Sequence, residues 1–217
     1  MLNGTRKVSV SSTRKHVPAP AETHQPRPKL WFRMSVLTGN LVQSAGLVLA
    51  AGLLWVAASW QVAAVLRVVL MLMGWFLVYI CSHALAHWVA GRAVHIRFHG
   101  YGLRGTDQPE VYPPGIHQVM RVLPFFSALT EKASMQQAGA VAQAIMFSAG
   151  ETSTTLCTLL AAGYAWVSGI PGGDVLFIFT VCWDLGATIT TARTPRGDYA
   201  KAMRVLRMAP TGRAMSG

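Results

Sequence analysis

Four stretches of this chain, at about 41–60, 68–89, 138–167 and 175–192, are too long and too apolar to be connecting loops. A bilayer core of ~30 Å is crossed by about 20 helical residues, so each run has the length of a membrane span. Lipid offers no hydrogen-bond partner to a peptide group, and a helix satisfies its backbone internally. The sequence therefore predicts an all-α polytopic membrane protein with about four transmembrane helices. Composition agrees: 52% of residues are hydrophobic and only 12% charged, against about 25% charged in soluble domains.

Charge distribution sets the expected orientation. The formal net charge of +11 sits largely in two tails, with Arg6, Lys7, Arg14, Lys15, Arg27, Lys29 and Arg33 at one end. Arg193, Arg196, Lys201, Arg204, Arg207 and Arg213 lie at the other. The long link between the second and third spans adds Arg92, Arg97, Arg104, Arg121 and Lys132, whereas the two short links carry almost no positive charge. By the positive-inside rule both tails and the long loop are cytoplasmic. Aromatic interleaving and nucleic-acid motifs are absent, so the basic excess points to a lipid bilayer and not to nucleic acid.

Three regions follow: a basic flexible cytoplasmic tail at 1–34, a membrane-embedded unit at 35–192 and a second basic cytoplasmic tail at 193–217. The Ser, Thr and Pro-rich first tail has no apolar core and is not a secretory signal. A bacterial inner membrane is the expected location, with an organelle membrane as the alternative. Within the long loop, His95-Ile96-Arg97-Phe98-His99 alternates polar and apolar residues as a strand does. Tyr101-Gly102-Leu103 extends it into a short hairpin, and 116–129 follows as a surface helix. Cys81, Cys157 and Cys182 lack CxxC spacing and read as small buried residues.

The chemistry is concentrated at His83-Ala84-Leu85-Ala86-His87, inside the second apolar run. Two imidazoles four residues apart share one helix face, and ionisable groups within a span are functional suspects by default. Asp184, in the last span, is the matching acid. Counting 1.5 Å per residue from Arg92 and Arg193, His83 and Asp184 each lie about 14 Å into the membrane and His87 about 8 Å. Two histidines and one carboxylate with an open fourth position describe a catalytic zinc site.

These residues resemble the site-2 protease family, intramembrane zinc metalloproteases that cut transmembrane substrates. His83-Ala84-Leu85-Ala86-His87 is similar to that family's HExxH helix, and Gly91-Arg92 follows as the helix leaves the membrane. Gln137-Ala138-Gly139-Ala140-Val141-Ala142-Gln143 is similar to its AGPLAN motif. Asp184-Leu185-Gly186 stands in the place of its late Asp-Gly motif. The resemblance, over 68–207, implies Zn2+ held by His83, His87 and Asp184, with Gln143 binding substrate backbone. It also implies a transmembrane helix as substrate or partner.

The departures are chemical. Ala84 replaces the glutamate that serves HExxH enzymes as general base, Ala140 replaces the motif's Pro, and Gln143 its Asn. Ala84 cannot accept a proton, a contribution typically of about 10²–10⁴-fold. The expected protein is thus a zinc-binding metallopeptidase homologue with impaired catalysis. Glu151, in the third span, is the candidate substitute base, although its depth of about 22 Å from Gln136 places it below the site. The alternatives are an active protease using such a base, a non-enzymatic membrane scaffold or transport protein, and a haem or di-iron protein. A single intramembrane histidine pair is too few for the last.

Overall fold

The computed structural model describes residues 29–106, 112 and 114–208. In chain order these form β1 (Phe32–Met34), α1 (Val36–Ser59), α2 (Ala64–Ala93), β2 (Phe98–Arg104), α3 (Ile116–Val122), β3 (Phe125–Thr130), α4 (Lys132–Gln137), α5 (Ala140–Val167), α6 (Gly173–Arg193) and α7 (Asp198–Met208). Helix α2 is central, packed against α1 on one side and α5 on the other, while α5 also carries α6 and α7.

The core between helices is built from small and branched residues: Ala50, Leu54 and Ala57 of α1, Met71, Trp75 and Val78 of α2, and Ala161, Ala162 and Ala165 of α5. Small residues let helix backbones approach closely, the usual packing device inside membranes. The outward faces are as apolar as the core, with Val48, Leu160, Val167, Val175, Ile178 and Leu185 all exposed. In water such a surface would be costly; facing lipid tails it is neutral.

Three segments, Val36–Ser59, Ala64–Ala93 and Gly173–Met208, are long and apolar enough to cross a membrane. They contain three of the four expected spans. The run at 138–167 is a helix as expected, α5, and its 28 residues give about 42 Å of length. It is less apolar than the others because Glu151, Thr152, Ser153, Thr154 and Thr155 interrupt it.

A three-stranded antiparallel sheet, ordered β1-β2-β3, caps one end of this bundle. Phe32 pairs with Leu103 and Met34 with Tyr101; on the other side Tyr101 pairs with Ala128 and Arg104 with Phe125. This corrects three expectations. The first tail is not a free segment up to residue 34, because its last residues form β1. The strand begins at Phe98, since His95 has φ 65° and turns the chain. The helix expected over 116–129 stops at Val122: Pro124 forces Leu123 into extended backbone (ψ 133°), and Phe125–Thr130 becomes the third strand. Residues 1–28 and 209–217 of the expected tails lie outside the described residues.

Tyr101 anchors the sheet to the bundle. Its wholly buried ring lies where a Cβ on Gly39 of α1 would stand, and its hydroxyl donates to Asn40 Oδ1 at 2.5 Å. Gly39→Leu should therefore destabilise the protein by about 1–3 kcal/mol through overpacking. Thermal unfolding of the detergent-solubilised protein checks this, and a variant as stable as wild type would refute the anchoring.

Candidate metal centre

His83 and His87 lie one turn apart on α2, both turned toward α5. The third member of the cluster is Asp198, the first residue of α7. Its Oδ2 lies 3.2 Å from His83 Nε2 and 3.1 Å from His87 Nε2, and the two Nε2 atoms are 3.2 Å apart. The three atoms thus form a nearly equilateral triangle.

Hydrogen bonding on the far side of each ring decides what this triangle presents. His87 Nδ1 lies 2.7 Å from the carbonyl of Met146; a carbonyl only accepts, so Nδ1 carries the proton. His83 Nδ1 lies 3.2 Å from Thr154 Oγ1. That hydroxyl spends its own hydrogen on the carbonyl of Gly150, so His83 Nδ1 also donates. Each neutral imidazole has one N–H, and both Nε2 atoms are left with bare lone pairs aimed at a carboxylate oxygen.

Three lone pairs 3.1–3.2 Å apart repel one another unless a cation stands among them. A proton on His87 Nε2 donated to Asp198 Oδ2 would relieve one edge of the triangle, beside the Lys201 ammonium that sits 2.8 Å from Asp198 Oδ1. A metal ion would relieve all three edges at once. Ligand atoms bonded at ~2.0 Å to a tetrahedral ion stand about 3.3 Å apart, close to the edges found here. The second-sphere contacts to Met146, Thr154 and Lys201 are those that hold ligating groups in tautomer and orientation.

The surrounding sequence explains how the side chains arrive. Gly150 lets α5 pass directly against His87, because a Cβ there would overlap the Nε2 atom. After α6, Pro195 and Gly197 reverse the chain, with Gly197 N bonded to Thr194 O at 2.9 Å, and a Cβ at Gly197 would run into Thr191 O. Arg204 closes the turn by donating to Pro195 O at 2.8 Å. Asp198 is thereby delivered under the histidines, and Tyr199 OH meets Thr152 Oγ1 of α5 at 3.0 Å.

Asp184, expected as the third ligand, is a correction. It is buried, and its Oδ2 meets Thr158 Oγ1 at 2.8 Å rather than the histidines. Along α5 the partners run Met146 to His87, Thr154 to His83 and Thr158 to Asp184. Asp184 thus meets α5 about 6 Å, one turn, beyond the level of His83. Counting depth from Arg193 treated α6 as the end of the ordered chain, whereas the polypeptide turns back and a later acid fills the place. The expected basic tail at 193–217 accordingly contains α7, which carries that acid.

Ala84 is wholly buried on α2 and adds no polar group. Gln143 spends its amide on Met135 O and Ala138 O, both at 2.9 Å, where it ties α4 to the start of α5. Glu151 is buried on α5, one residue beyond Gly150, which abuts the His87 ring. Of the cysteines Cys81 is buried, but Cys182 is exposed, and none belongs to the cluster. The missed residue is Asp198. Its signal was present as Pro195-Arg196-Gly197-Asp198, a turn followed by an acid in a first helical turn.

No family model, curated protein or solved structure matches this chain. The His83, His87 and Asp198 group could hold a metal ion, and that conclusion rests on the geometry alone. Thr154→Val removes the acceptor that fixes the His83 tautomer and should lower metal affinity about 10–100-fold. Isothermal titration of the metal-stripped protein measures it; unchanged affinity would remove Thr154 from the site.

Proposed function

We propose that the chain is a membrane-embedded zinc protein of site-2-protease-like design, with His83, His87 and Asp198 as ligands and a fourth position open to water or substrate. The observation that carries this reading is the pair of histidines whose N–H groups are both turned away, leaving two Nε2 lone pairs and one carboxylate oxygen within 3.2 Å of each other. Two nitrogens and an oxygen at tetrahedral spacing suit Zn2+, and three protein ligands are the number catalytic zinc sites use. Zinc so held lowers the pKa of water and polarises a carbonyl.

In this reading α5 crosses the membrane as a fourth span, with Glu151, Thr154 and Thr158 buried along it. Both ends of the chain and the sheet lie on the cytoplasmic side, where Arg92 and Arg193 end α2 and α6. The substrate class is a transmembrane or membrane-proximal peptide. With Ala84 on the histidine helix, hydrolysis is impaired unless another element supplies a proton acceptor. The same alanine favours a second reading, in which the zinc holds α2 and α7 together and the protein binds membrane partners without cutting them.

Metal analysis of the purified protein tests the core of the proposal. Wild type should contain about one equivalent of zinc, and His83→Ala, His87→Ala and Asp198→Ala should each contain little or none, because one lost ligand leaves two. Asp184→Ala should keep its zinc. Retention in Asp198→Ala with loss in Asp184→Ala would overturn the ligand set; a zinc-free wild type would overturn the function.

A further inference from the structure

Glu151 is an acid in the wrong place for a structural role. It is 91% buried, at 9% relative exposure, on the stretch of α5 that faces α2 and α6. Among the described residues no hydrogen bond or ion pair engages its carboxylate. Lys201, the cation of the neighbouring cluster, is committed to Asp198 Oδ1. An acid carried into an otherwise apolar helix bundle is costly to desolvate, and an acid so placed is a candidate for a functional site.

Its neighbours say which site. The preceding residue, Gly150, abuts His87 Nε2, the atom that faces the cluster. Three residues on, Thr154 holds His83, and seven residues on, Thr158 holds Asp184. Spacings of three and seven keep Glu151 on the same helix face as both. Its charge is felt by His87 of α2, Asp184 of α6 and Asp198 of α7. It also acts on Tyr79 of α2 and on Tyr112, whose ring stacks on Trp183 at 6.4 Å and whose phenol is pushed up first by burial and then by this carboxylate. Glu151 thus lies on α5 between the residue that abuts His87 and the residue that holds His83.

Resting on the zinc reading above, we propose that Glu151 is the proton acceptor of the site, supplied by α5 in place of the residue that Ala84 lacks on α2. The step balances without a co-reactant. As the attacking water's O–H bond breaks, the proton passes to Glu151 while the oxygen's electron pair forms a bond to the carbonyl carbon and the C=O π pair moves onto the carbonyl oxygen. When that pair re-forms the carbonyl and the bond from carbon to the leaving nitrogen breaks, Glu151 returns the proton to the nitrogen. The acceptor lies on a different helix from the histidines, so a local motif search along α2 cannot find it.

Full-length protein loaded with Co(II) in place of zinc tests this by a signal independent of turnover, the visible absorption of the bound ion followed across pH. Wild type, Glu151→Gln, Glu151→Asp and Asp184→Asn should each bind about one equivalent. Wild type, Glu151→Asp and Asp184→Asn should show a pH-dependent spectral step that Glu151→Gln lacks, because the amide neither takes nor gives the proton. Equal Co(II) binding with the step intact in Glu151→Gln would overturn the inference and leave the metal site standing. Loss of Co(II) from Glu151→Gln alone would also overturn it, since Glu151 would then be a ligand. Wild type that binds no Co(II) would overturn the metal reading and this inference with it.

Discussion

Two histidine rings held by their outer nitrogens set the terms for the rest of this molecule. Because Met146 O and Thr154 Oγ1 take the Nδ1 protons, both Nε2 atoms must meet something positive. The requirement reaches through three helices: α2 supplies the rings, α5 the groups that orient them, and α7 the carboxylate. Each contact depends on a backbone feature elsewhere, a glycine at 150 that admits the His87 ring and a turn at Pro195 and Gly197 that brings Asp198 back. Polar groups at this depth find few competing partners, which is why so small a network can position helices whose other contacts are interchangeable apolar ones.

The polar cluster is asymmetric in its chemistry. On the α7 side Asp198 is neutralised by Lys201 and faces the rings; on the α5 and α6 side Glu151 and Asp184 bring two further acids. Asp184 is quieted by the Thr158 hydroxyl, whereas Glu151 has no such bond. Aromatic residues pack against one another on α2 and α6, with Trp75 stacked on Tyr79 at 5.7 Å and Trp183 on Phe179 at 5.9 Å.

Helix positions were readable from the chain because a membrane span is specified by length and apolarity, both local properties. The histidine pair was readable for the same reason, since spacing of four on a helix fixes a shared face. The sheet was only half readable: the alternation at 95–99 reaches just the first two residues of β2, while β1 is three residues long and has meaning only beside Leu103 and Tyr101. Asp198 was hidden by its surroundings. A lone acid among Arg193, Arg196, Lys201, Arg204 and Arg207 reads as part of a basic tail until the turn before it is seen to fold back.

What the linear chain decided alone is therefore the set of apolar helices, their capacity to enter a membrane and the two imidazoles on one face. What tertiary structure decided is the partner of those imidazoles, because two acids, Asp184 and Asp198, compete for the place and local rules favour the one in the span. Helix rise fixes depth along a single helix but says nothing of a chain that reverses direction. The reversal at Pro195 and Gly197, together with the extra turn separating Thr158 from Thr154, places Asp198 against the rings and leaves Asp184 with a hydroxyl.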